Sequence, residues 1–67
     1  MKEIFFLSNR LIERIEENNY SHYYPVDLAY HMTCGKETDE SIIKSILDLS
    51  DEEFIMALEN AINIEDL

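Results

Sequence analysis

The 67 residues contain a single proline, Pro25, and a single glycine, Gly35. A chain so poor in backbone breakers has few places to turn, and both residues suit helix ends. The fixed φ of proline fits the first helical position, and glycine takes the left-handed conformation found just past a helix C-terminus. No run alternates apolar and polar residues for long, and no Asn-Gly or Asp-Gly hairpin turn occurs, so the marks of strands are missing. The expected class is all-α: a compact bundle of four short helices, with residues 1–67 forming one domain.

Periodicity places the four helices. At 100° per residue, Ile4, Phe5, Leu7, Leu11, Ile12 and Ile15 share one face of a first helix running from about Lys2 to Asn18. Asn18, Asn19 and Ser21 compete for backbone hydrogen bonds and end it. A second helix opens at Pro25 and closes at Gly35, with Val26, Leu28, Ala29, Met32 and Thr33 as its inner stripe. Thr38 or Asp39 caps a third, which runs to about Leu49 and turns Ile42, Ile43, Ile46, Leu47 and Leu49 inward. Ser50 and Glu53 then have capping-box spacing, and Leu49 and Phe54 have the spacing of a hydrophobic staple around the same cap. Phe54, Ala57, Leu58, Ala61 and Ile62 carry the fourth helix to about Ile64.

A domain this small buries only about 60% of the surface its unfolded chain exposes. One cysteine, Cys34, excludes an internal disulfide and fits an intracellular, reducing, cytoplasmic setting. Ile4 to Leu7 is far too short an apolar run for a signal peptide or a membrane span, so neither is expected. Partner binding or homodimerisation is the remaining source of extra stability.

Charge narrows the function classes. Fifteen acids against five bases give a net charge of −10, which repels nucleic-acid backbones and anionic lipid. Direct nucleic-acid and membrane binding are therefore not expected, and a basic protein surface is the favoured partner. Acidic surfaces also serve solubility alone. The distribution is uneven: all five bases lie within residues 1–44, while residues 45–67 hold seven acids and no base. Asp51, Glu52 and Glu53 have a structural reason too, because a helix N-terminus favours negative charge.

Three constellations have chemical content. Asp27, His31 and Cys34 have helical spacing and the composition of a thiol nucleophile site, or of a zinc site with His22 as a further ligand. A mini-domain offers neither the oxyanion hole nor the water exclusion that catalysis needs, so the three residues are read as unrelated, and no enzyme activity, cofactor or metal is expected. Tyr20, Tyr23, Tyr24 and Tyr30 suit a thin core or a binding surface, and core packing is the preferred reading. Phe6 and Met56 break the amphipathic pattern, Phe6 on the Glu13–Glu17 side of its helix and Met56 among Glu52, Glu59 and Asn63. An apolar residue ringed by charge has the form of an interface anchor.

Residues 26–46 resemble a helix-turn-helix unit in outline, although the turn from Cys34 to Thr38 is long. The segment in the recognition position, Asp39, Glu40, Ser41 and Lys44, carries more acid than base, whereas phosphate contact needs Lys and Arg. The leading expectation is a small acidic inhibitor or regulator that occupies a basic, nucleic-acid-binding surface of a partner protein. Asp48, Glu52, Met56, Glu59 and Glu65 are the expected contact residues, with Phe6 as a further one. Such mimics of nucleic acid suggest, by analogy, a phage-type anti-defence factor. The alternatives are a non-mimic interaction module, such as an antitoxin or a homodimeric scaffold subunit, and a helix-turn-helix-like transcriptional regulator.

Overall fold

A computed structural model describes residues 2–67, and four helices account for most of them: α1 (Lys2–Asn18), α2 (Pro25–Met32), α3 (Glu40–Leu47) and α4 (Asp51–Glu65). The described residues contain no strand, so the all-α expectation holds.

Each helix contributes a narrow stripe to one cluster: Leu7, Leu11 and Ile15 from α1, Leu28 and Ala29 from α2, Ile43 and Ile46 from α3, and Phe54, Leu58, Ala61 and Ile62 from α4. Burying each large side chain contributes about 1.5–3 kcal/mol, against the chain entropy that ordering removes. Two residues assigned to inner stripes lie outside. Phe5 is 69% and Val26 60% exposed. Both sit at the edge of their stripes, and a core this thin covers only a stripe's middle. The pairs that pack are α2 with α4, α1 with α3, and α1 with α2. The link from α2 to α3 spans residues 33–39 and is longer than the 3–4 residues usual in a helix-turn-helix. The radius of gyration is 10.9 Å, against about 11 Å expected for a compact chain of this length.

Local chemistry sets the ends. Asp39, not Thr38, caps α3: its Oδ1 accepts from the backbone N–H of Ser41 at 3.1 Å and of Ile42 at 3.4 Å. A bond from the Ser41 hydroxyl at 2.8 Å, together with these backbone bonds, holds the Asp39 carboxyl below its usual range. α3 stops at Leu47, two residues before the expected end, and Leu49 packs partly buried against the core. The capping box at α4 is complete. Ser50 Oγ accepts from Glu53 N–H at 3.2 Å, and Glu53 Oε1 accepts from Ser50 N–H at 3.2 Å.

α2 ends differently. Gly35 is left-handed as expected (φ 80°), but so is Cys34 (φ 55°). Gly35 N–H donates to the Tyr30 carbonyl at 2.8 Å and Cys34 N–H to that of His31 at 3.1 Å, the paired bonds of a Schellman cap. Cys34 therefore holds the position where glycine is usual. Thr33 stays buried because its Oγ1 donates back to the Ala29 carbonyl at 2.9 Å.

Of the polar side chains that join elements across long sequence distance, Arg14 makes the most bonds. Arg14 donates to the carbonyls of Leu47 (2.9 Å) and Leu49 (3.0 Å) and pairs with Asp51 (3.1 Å). Its guanidinium also lies 4.2 Å from the centre of the Phe54 ring. The fork of donors thus satisfies carbonyls left open at the end of α3.

Candidate functional site

With Phe54, Leu58, Ala61 and Ile62 turned inward, helical spacing sends Glu52, Met56, Glu59 and Asn63 to the opposite side of α4. All four are exposed, and Met56 is 66% accessible. Asp48, at the C-cap of α3 just ahead of this face, is exposed as well.

The acids of the C-terminal stretch divide into two groups. Four are engaged within the chain: Asp51 with Arg14, Glu53 in the capping box, Glu65 with His31, and Asp66 with the Tyr23 hydroxyl. The carboxylates of Asp48, Glu52 and Glu59 have no hydrogen-bond or ion-pair partner among the described residues. Of these seven acids only Asp51 faces an arginine, so the stretch keeps its negative sign, and Asp48, Glu52 and Glu59 are the carboxylates left open, the last two flanking Met56 on α4. Glu65, expected at the contact surface, is half-buried, and its Oε1 lies 2.9 Å from His31 Nε2.

That pair also separates the Asp27, His31 and Cys34 constellation. His31 turns to α4, while Cys34 lies past the end of α2 in the left-handed turn. His22 is exposed and stacks on Tyr23, with ring centres 4.3 Å apart. Among the described residues no three His, Cys, Asp or Glu side chains come together as a metal would require. Nor, among the described residues, does any buried side-chain polar atom lack a partner.

The tyrosines correct the core-packing expectation. Tyr20, Tyr24 and Tyr30 are more than half exposed, and only Tyr23 packs partly against the core. Its hydroxyl donates to Asp66. That bond, then partial burial and the charges of Asp66 and Glu65, raise the Tyr23 phenol above its usual value. Phe6 is 62% exposed, as its position among the glutamates implies. Sequence reasoning missed Arg14, although it stands seven residues after Leu7 and three after Leu11, on the line of the inner stripe.

A cleft of about 340 Å³ opens beside Arg14, lined by Arg10, Glu13, Arg14, Glu17, Leu47 and Asp51. Its charges are mixed and it has one apolar wall residue, so it lacks the apolar lining of a small-molecule site. The open α4 face is the better candidate.

These features define an all-α domain with one partly open acidic helix face, and no described helix is long and apolar enough to cross a membrane. Comparison with protein-family models, curated proteins and solved structures finds no match.

Proposed function

We propose that this chain is a small acidic inhibitor or regulator that occupies a basic, nucleic-acid-binding surface of a partner protein. The observation that carries the reading is the pair of unpartnered carboxylates Glu52 and Glu59 flanking the exposed Met56 on α4, with Asp48 also open at the C-cap of α3. Carboxylates held on a helix are presented without the entropy cost of ordering a loop. Glu52 and Glu59 stand about 10.5 Å apart along the helix axis. That is close to three axial steps of about 3.4 Å along one DNA strand. The charges then speed encounter, and Met56 enters an apolar pocket and holds the complex. An anti-defence factor of the phage type is one role such an occupant serves.

The test is capture by the immobilised protein at ~50 mM and ~500 mM salt, followed by displacement with nucleic acid. The bound protein should be basic, should be released at the higher salt, and should be displaced by nucleic acid. Combining Glu52→Lys with Glu59→Lys should slow its association and flatten the salt dependence, and Met56→Ala should raise its dissociation rate roughly 5- to 30-fold. Normal binding by all three α4 substitutions, with failure of Phe6→Ala instead, would end this reading in favour of an apolar interaction module.

A further inference from the structure

Met32 and Met56 stand in opposite surroundings. Met32, on α2, is partly buried and packs against the core cluster. Met56 is 66% exposed on the outer side of α4. Helical spacing puts Glu52 one turn before it and Glu59 and Asn60 one turn after, and all three are exposed. The apolar residues of α4 that could shelter a neighbour, Phe54, Leu58, Ala61 and Ile62, are turned into the core. The Met56 side chain therefore meets solvent, and the Met32 side chain meets mainly protein.

Access sets how fast a thioether is oxidised, since its sulfur lone pair reacts without prior loss of a proton. Charge sets which oxidants arrive. A chain at −10, with Glu52 and Glu59 on either side of Met56, repels anionic oxidants but leaves neutral peroxides unhindered. The products also have unequal consequences. A sulfoxide at Met56 projects into water, whereas one at Met32 presses a polar group against apolar side chains.

We propose that Met56 is a site of reversible oxidation by neutral peroxides. The sulfur lone pair attacks one oxygen of hydrogen peroxide, and an S–O bond forms as the O–O bond breaks. The hydroxide released takes the proton left on the transferred oxygen and departs as water. Sulfur loses two electrons and the peroxide gains them. Two thiols reverse the step through a sulfoxide reductase, yielding the thioether, a disulfide and water. The exposure that admits peroxide also admits the reductase. Oxidation replaces a flexible apolar end by a polar, chiral one, so an apolar pocket that accepts Met56 loses its fit. That consequence for binding rests on the function proposed above, while the site itself does not.

The test exposes the full chain to hydrogen peroxide with and without denaturant, after alkylation of Cys34 so that its thiol takes no part. Peptide mass spectrometry follows both methionines. In the folded chain Met56 should oxidise at least about fivefold faster than Met32, and in denaturant the two rates should converge, because only the fold separates them. Oxidation of Met56 should move the melting temperature by under about 3 °C, and methionine sulfoxide reductase with a thiol donor should restore the starting mass. Equal rates in the folded chain, a difference that survives denaturant, or unfolding on oxidation of Met56 alone would each overturn the inference. A second arm reads the consequence for binding. A basic protein captured by the reduced chain should leave the oxidised chain roughly 5- to 30-fold faster, and Met56→Leu should hold it with or without peroxide. Unchanged binding by the oxidised chain would overturn the link to the contact. Failure to capture any basic protein would count against the proposed function, and the rate comparison would still decide the site.

Discussion

The α1–α2 half and the α3–α4 half are built on different terms. α3 and α4 each begin on a side chain that satisfies the first backbone N–H groups, Asp39 for one and Ser50 with Glu53 for the other. α2 begins at Tyr24 with no side-chain cap, and it ends in a turn that puts the non-glycine Cys34 in left-handed space. The second half is written locally, in short motifs that need no knowledge of the rest of the molecule. The first half is held by distant partners: Arg14 reaches Leu47, Leu49 and Asp51, His31 reaches Glu65, and Tyr23 reaches Asp66. Their charge differs too: residues 1–35 hold five acids and three bases, and residues 36–67 ten acids and two bases, while both halves leave large apolar side chains exposed.

The largest effect is expected where the halves meet. Arg14→Met keeps much of the aliphatic bulk but leaves the Leu47 and Leu49 carbonyls without their donor, at a cost of roughly 2–3 kcal/mol. In a domain with about 3–5 kcal/mol in total, the melting temperature should fall by at least about 10 °C. Arg14→Lys should recover little of this, because an ammonium cannot span both carbonyls and Asp51 in the same fork. A drop of under about 3 °C for Arg14→Met would show that apolar packing alone joins the two halves.

A middle-sized effect separates local from distant control. Ser50→Ala removes one limb of the capping box and should cost about 1 kcal/mol, or about 4–8 °C in melting temperature. Tyr24→Ala, at the equivalent place before α2, removes no cap and should stay within about 0.5 kcal/mol. If calorimetry returned equal losses for the two, the contrast in how these helices start would be wrong.

The smallest effect is a difference in pH response. The Asp39 carboxyl lies below its ordinary 3.8 in the folded state. Its contribution is therefore present above that pH and is lost as the pH falls through the lower folded value. The Tyr23 phenol lies above its ordinary 10.0. Its contribution is present below pH 10 and is lost as the pH rises through the folded value. Acid should thus loosen the start of α3 first, and alkali the join between Tyr23 and the end of α4. NMR line shapes of Ser41 and Ile42 against those of Glu65 and Asp66 would report this. Loosening at the same end in both conditions would refute the assignment, and Asp39→Asn should abolish the acid limb.

Legibility in the sequence follows the same division. The bounds of α1, the start at Pro25, and the Ser50–Glu53 box are local signals and were readable as such. The inner stripes were readable in their centres, at Leu7, Leu11 and Ile15 or at Phe54, Leu58 and Ile62. Their edges were not, because periodicity gives an angle and says nothing of how far a neighbouring helix extends to cover it. Phe5 and Val26 fell on that boundary, and three of the tyrosines stayed outside for want of core to enter. At the candidate site, Asp48, Glu52, Met56 and Glu59 were legible as outward positions. The loss of Glu65 to His31 was not, since a bond across 34 residues leaves no trace in spacing.

The left-handed turn at Cys34 has a practical consequence. The chain's only thiol is exposed, at the junction between the two halves just compared, and no other cysteine competes for reagent. A maleimide dye or a nitroxide attached there would watch both sides of the molecule from one fixed vantage, with no engineered residue. Line broadening of a spin label would register neighbours settling on either surface, and paramagnetic relaxation would say which helix they had approached.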